Sequence, residues 1–174
     1  EDLGKEDLEA INRGFVNLKQ HYENITNEYG LPCVVCINHF SEDTEAEVVC
    51  LETLVQSIGG LSILSKHWEL GGLGAENLAE KVKIILDEGP YQHSYVYHTK
   101  EHLWEKIKAI ATKIYGASDI EASVKIRRKL DEFGEQFPDF PADLQNDRLL
   151  LQDLQIRMEQ QMMCRLSLHS MSCL

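Results

Sequence analysis

Residues 31–47 read Leu31-Pro-Cys-Val-Val-Cys-Ile-Asn-His-Phe-Ser-Glu-Asp-Thr-Glu-Ala-Glu47. The run Cys-Val-Val-Cys-Ile is apolar and short. A Gly-Leu-Pro turn precedes it, and a polar break at Asn38 ends it. Such a run predicts a strand buried on both faces, as in a parallel sheet. Asp43 or Thr44 can then cap a helix, with Glu45 and Glu47 in its first turn, where acidic groups favour the dipole. A strand that runs through a polar loop into a helix is where open α/β sheets bind ligands.

The pattern on either side supports that reading. Residues 6–27 predict an amphipathic helix, with Leu8, Ile11, Phe15, Leu18, Tyr22 and Ile25 on one stripe. Gly30 ends it and Pro32 follows. Residues 44–58 predict a second helix, with Ala46, Val49, Cys50, Val55 and Ile58 on its apolar side. Residues 61–64 predict a second strand. A glycine-rich loop, 65–75, leads into a helix over 76–87, with Leu78, Ala79, Val82, Ile85 and Leu86 facing inward. Residues 94–97 are a third strand candidate. Residues 99–114 predict a helix on Leu103, Ile107, Ile110 and Ile114, and residues 115–119 a loop. A last helix starts at Ser118 or Asp119 and runs to about 133. Alternating strands and helices imply parallel strands joined by crossovers, hence an α/β layered sheet. Residues 143–165 read as one further helix, and no repeat is visible.

Composition narrows the function. The chain has 174 residues, 43% hydrophobic and 7% aromatic, with a formal net charge of −12. That charge argues against a nucleic-acid backbone or an anionic membrane as main partner. No apolar run is long enough to span a bilayer, and no secretory signal is visible. Five cysteines without framework spacing fit a reducing, cytoplasmic setting. The first residue is Glu1, within a helical pattern, and two or three strands leave a sheet with bare edges. The expectation is a fragment of something longer.

Four constellations bear on chemistry. Cys33-Val-Val-Cys36 has redox spelling but sits within an apolar strand, so it reads as core packing. His93, His98 and His102 match no metal spacing and read as surface residues; no metal site is expected. Gly71-Gly-Leu-Gly74 is either a flexible turn or a place where backbone N–H groups at a helix start meet an anion. It is not a Walker A loop, and none occurs in the chain. Phe40 and Trp68 lie just past adjacent predicted strands, at one sheet edge. They can sandwich a flat heterocycle, or each can cover a helix end.

The chain resembles formate–tetrahydrofolate ligase. The resemblance is carried by Gly14-Phe-Val-Asn-Leu18, His21-Tyr-Glu-Asn-Ile25, Gly30-Leu-Pro-Cys-Val-Val-Cys-Ile-Asn38 and Phe40-Ser-Glu-Asp-Thr-Glu-Ala-Glu47. Ser65-Lys-His-Trp68, Gly71-Gly-Leu-Gly74 and Ile107-Lys-Ala-Ile-Ala-Thr-Lys-Ile-Tyr-Gly-Ala117 continue it in one register, over about residues 1–141. The separation of Phe40 and Trp68 equals the family's spacing between its own Phe and Trp.

The resemblance implies part of a P-loop-NTPase-like parallel sheet layered with helices, with an irregular or helical tail over 142–174. It implies an enzyme of one-carbon metabolism that joins formate to tetrahydrofolate with MgATP through formyl phosphate. It also implies a tetramer and a monovalent cation. The pterin would stack between Phe40 and Trp68. Asn38, Asp43, Thr44, Gly71 and Gly72 would lie near the nucleotide, Asn38 making amide contacts to adenine and Asp43 a polar contact or a contact to metal-bound water. The family's P-loop lysine and formyl-phosphate arginine have no counterpart in these residues, so no catalytic residue is expected here and no turnover from this chain alone. The family's Gly-Gly-Glu-Gly-Gly loop reads Gly71-Gly-Leu-Gly-Ala75, which puts any polar role of that loop in doubt. After Pro141 the pattern stops at Ala142-Asp-Leu-Gln-Asn-Asp-Arg148, and residues 142–174 are expected to be out of frame or foreign. Two other readings stand beside the enzyme fragment. One is a non-catalytic module of the same ancestry that binds folate or pairs with intact subunits; the other is an unrelated α/β domain.

Overall fold

The structure, a computed structural model, describes residues 5–142 and the backbone of Leu154–Met158. The chain divides into two compact units, Glu1–Ser94 and Tyr95–Leu174.

In the first unit, helix α1 spans Leu8–Glu23 and runs into a π-helical turn, Asn24–Glu28. Asp7 caps α1 by accepting the Ala10 N–H at 2.8 Å. Strand β1 is Val34–Asn38, helix α2 is Glu45–Ser57 and strand β2 is Leu61–Ser65. A one-turn helix α3, His67–Leu70, and a 3-10 segment, Gly71–Ala75, lead into α4, Glu76–Asp87. β1 and β2 pair in parallel, from Val34 opposite Leu61 to Asn38 opposite Ser65. The α/β class and the parallel pairing agree with expectation.

The core of this unit is Phe15, Val35 and Val55, packed by Leu18, Tyr22, Leu51, Leu54 and Ile58. Phe15, Leu18 and Tyr22 come from the α1 stripe. Burial along β1 departs from expectation. Val35 and Ile37 are buried, but Cys36 and Asn38 are exposed, so the strand is covered on one face. Cys33 is half-buried. The C-x-x-C pair is therefore not core packing: residues two apart on a strand share a face, whereas three apart do not. Val49, expected inward on α2, is exposed, and α4 buries none of its residues, with Val82 and Leu86 exposed. No described element covers these apolar positions, so their periodicity outruns the burial.

In the second unit, helix α5 is Leu103–Ala109, followed by a π-helical turn, Ile110–Ile114. Strand β3 is Ala117–Ala122, helix α6 is Val124–Gln136 and strand β4 is Leu154–Met158. β3 and β4 are antiparallel. Trp104, Ile107, Ala111, Ala117, Ile120, Ile126 and Leu130 form the core.

Four expectations fail here. Residues 94–97 form no strand; the Ser94 N–H donates to Tyr29 O at 2.9 Å, beside the stacked Tyr29 and His93 rings, without a ladder. The last helix begins at Val124 rather than near 118, because residues 117–122 pair as a strand and Ser123 provides the cap. The strands are not all parallel. The helix expected over 143–165 is interrupted by β4, and its remaining residues lie outside those described. The three histidines are exposed as expected, and no described Cys, His, Asp and Glu side chains gather into a metal-binding group.

Candidate functional site

Parallel pairing brings the carboxyl ends of β1 and β2 to one edge, and the loops that leave this edge carry Phe40 and Trp68. Their ring centroids are 5.9 Å apart with planes tilted by 35°. Phe40 is 48% exposed and Trp68 69%. Both rings are largely exposed and lie in tilted contact with each other. A flat ring held between two others needs a separation of roughly 7 Å, two van der Waals contacts of about 3.5 Å. The two rings, tilted and in mutual contact, would have to part and turn toward parallel to admit one.

The loop after β1 is held by its own residues. The Asp43 Oδ2 accepts the Phe40 N–H at 2.8 Å, and the Asp43 N–H donates to Phe40 O at 3.1 Å. Thr44 then caps α2 in a reciprocal box. Its Oγ1 accepts the Glu47 N–H at 3.2 Å, and Glu47 Oε2 accepts the Thr44 N–H at 3.0 Å. The Thr44 hydroxyl also donates to Glu6 Oε2 at 2.6 Å. Glu47 Oε1 accepts the Asp7 N–H at 3.0 Å, so one carboxylate serves the starts of both α1 and α2. The backbone bonds from Thr44 and Asp7 hold the Glu47 carboxyl below its ordinary value. Thr44 thus caps α2, one of the two caps the sequence offered, while the Asp43 bonds that close the Phe40 turn are a structural duty the sequence did not assign. Asn38 and Asp43 also line a cavity of about 410 Å³, whose apolar wall includes Ile11, Val35 and Ile37.

The loop after β2 is closed more tightly. Ser65 is 1% exposed. Its hydroxyl donates to Gly74 O at 3.4 Å and lies 3.1 Å from His67 Nδ1. The Lys66 N–H donates to Gly74 O at 3.0 Å. The Lys66 carbonyl in turn accepts the N–H groups of Glu69 at 3.1 Å and Leu70 at 2.9 Å, which forms the turn carrying Trp68. Gly71 takes φ +59° at the end of that turn, where a side chain would be strained. Gly71 and Gly72 leave open space around their Cα atoms. Sequence reasoning named these two glycines and missed Ser65 and Gly74. A serine closing an apolar strand was the available signal, but its partner lies nine residues away.

In the second unit, Arg127 lies 3.8 Å over the Trp104 ring, and the buried Lys106 ammonium donates to Pro138 O and Phe140 O, each at 3.0 Å. The periodicity had put neither Trp104 nor Lys106 inside.

A family model described as formate–tetrahydrofolate ligase matches residues 1–144. Proteins of that name are similar to this chain. The one from Methylococcus capsulatus is 47% identical over 141 residues, covering 81% of this chain and 25% of the relative. That from a Ruegeria species is 44% identical over 134 residues, covering 77% and 24%. That from Methylobacillus flagellatus is 40% identical over 129 residues, covering 74% and 23%. The chain spans about a quarter of the length of the curated relatives it matches.

Proposed function

The chain belongs to the formate–tetrahydrofolate ligase family, and from that premise we propose that Phe40 and Trp68 form one wall of a tetrahydrofolate site. In the whole protein this site would serve the MgATP-dependent joining of formate to tetrahydrofolate. The ATP γ-phosphoryl passes to formate, giving formyl phosphate. A folate amine then attacks the formyl carbon and phosphate leaves. In this reading the present residues bind and orient the pterin, while the phosphoryl transfer depends on cationic clamping elsewhere in the protein.

The supporting observation is the Phe40–Trp68 pair, two large exposed rings facing each other at 5.9 Å where a parallel sheet opens its loops. Stacking adds about 0.5–1.5 kcal/mol per pair beyond area burial. Asn38, at the end of β1, is proposed to offer its amide to the adenine. Gly71 and Gly72 would lie near the phosphates. A tetramer and a monovalent cation belong to the same proposal for the whole protein. No helix among the described residues is long and apolar enough to cross a membrane.

The test is a tetrahydrofolate titration of this chain followed by isothermal calorimetry. We expect Phe40→Ala and Trp68→Leu each to weaken Kd by about 2- to 12-fold, the equivalent of 0.5–1.5 kcal/mol. Unchanged affinity in both variants would refute the stacking role. An assay for ATP-dependent formylation should show no turnover from the chain alone.

A further inference from the structure

We propose that Ser65 and Gly74 are positioning residues that fix the Trp68 jaw relative to the Phe40 jaw. The proposal rests on the stacking role of Trp68 given above.

Trp68 is 69% exposed, and its ring meets the tilted rings of Phe40 and His67, each with centroids 5.9 Å away. The backbone of the turn that carries it sets where the indole starts from. That turn begins at the Lys66 carbonyl, acceptor for both Glu69 and Leu70. Gly74 sits directly against this carbonyl. A Cβ built on Gly74 would overlap the Lys66 carbonyl group and lie 2.7 Å from the His67 nitrogen. All three neighbours are backbone atoms, so none can swing aside as a flexible side chain would. Any side chain at 74 must therefore move the start of the Trp68 turn.

Ser65 links the two jaws. Its carbonyl accepts the His39 N–H at 3.1 Å, one residue before Phe40. Its buried hydroxyl holds Gly74 O on the other side. A single residue thus ties the Phe40 loop to the closed ring of 65–74. A hydroxyl buried to this degree is costly to keep unless its bonds are made. The geometry of this closed ring, together with the indole's contacts to Phe40 and His67, sets the gap that a flat ligand would enter.

The test labels the chain with 5-fluorotryptophan and follows Trp68 and Trp104 by fluorine NMR, with the Trp68→Phe spectrum assigning the peaks. Gly74→Ala and Ser65→Ala are compared with Leu73→Ala, which changes an exposed side chain in the same loop. We expect the Trp68 resonance to shift in the first two variants without ligand, with Trp104 unmoved and the thermal midpoint lowered only modestly in Ser65→Ala. The tetrahydrofolate Kd should weaken by up to about tenfold in both, the scale of a lost stacking contact. Leu73→Ala should change neither. An unmoved Trp68 resonance with unchanged Kd in Gly74→Ala and Ser65→Ala would overturn the proposal. So would a weaker Kd that appears only alongside a shifted Trp104 and a lowered midpoint, since that is general destabilisation. Should Gly74→Ala fail to fold, Ser65→Ala decides alone. If Trp68→Leu leaves Kd unchanged, the stacking reading falls, and the positioning claim is judged by the ligand-free shift.

Discussion

The Asp43 carboxylate accepts the Phe40 amide at 2.8 Å while the Asp43 amide donates back to the Phe40 carbonyl. This pair of bonds closes the turn that presents the Phe40 ring. Asp43→Ala removes one bond, worth about 1 kcal/mol for an exposed group. The tetrahydrofolate Kd of that variant should rise several-fold. Asp43→Asn retains an acceptor oxygen and should stay close to the parent. If instead Asp43→Asn is as damaging as Asp43→Ala, the charge itself matters, and a contact to metal-bound water becomes the better account. Titration by tryptophan emission separates the two.

Much of this turn was legible in the sequence, and the reasons are local. Thr44 and Glu47 stand three apart, the spacing of a capping box, so α2 announced its start. The apolar run with polar ends gave β1. What failed was non-local. Cys36 lies in the same apolar run as Val35, yet one is exposed and the other buried, because only a neighbouring layer decides which face is covered. β3 reads Ala-Ser-Asp-Ile-Glu-Ala, with only Ala117 and Ile120 buried, and its partner is the distant Leu154–Met158. Nothing in that hexapeptide distinguishes it from a loop. The site divides in the same way. Phe40 and Trp68 stood out as aromatics just past strands. The contact between Gly74 and the Lys66 carbonyl arises only when the loop closes.

Glu47 makes stability depend on pH. Its folded carboxyl is held below the ordinary value, so the unfolded chain takes up its proton first as pH falls. The stabilisation is fully present above the ordinary carboxylate value, about pH 4.3, and is lost as pH drops through the depressed folded value. Thermal midpoints of parent and Glu47→Gln should differ at pH 6, and the difference should shrink as pH falls below the ordinary carboxylate value. A difference that does not shrink on acidification would show that the amide substitution acts by some route other than charge.

Cysteine labelling reads out the one-sided burial of β1. Cys36 is exposed, whereas Cys33 is half-buried and burial pushes its thiol up. The thiolate is the reactive form, so a raised value slows alkylation at a given pH. Iodoacetamide at pH 8 should modify Cys36 several times faster than Cys33, as mapped by peptide mass spectrometry. Equal rates, or a faster Cys33, would contradict the placement of Cys36 on the open face.

In the second unit, Leu130 and Lys106 are both about 1% exposed, yet their loss should read differently. Leu130 packs in the core with Trp104, Ile107 and Ile126. Leu130→Ala leaves a cavity and should cost about 2–5 kcal/mol, with hydrogen exchange rising across the unit. Lys106 instead donates two charge-assisted bonds to the carbonyls of Pro138 and Phe140. Lys106→Met keeps most of the buried stem and removes the burden of a desolvated ammonium, so the two losses partly offset. The two carbonyls belong to exposed residues and can turn to water. The result should be a modest loss of thermal stability. Hydrogen exchange should rise mainly at Phe137 and Phe140, whose amides donate to Phe133 O at 2.8 Å and Phe137 O at 3.3 Å. Uniform exchange across the unit in Lys106→Met would instead give Lys106 the same global role as Leu130.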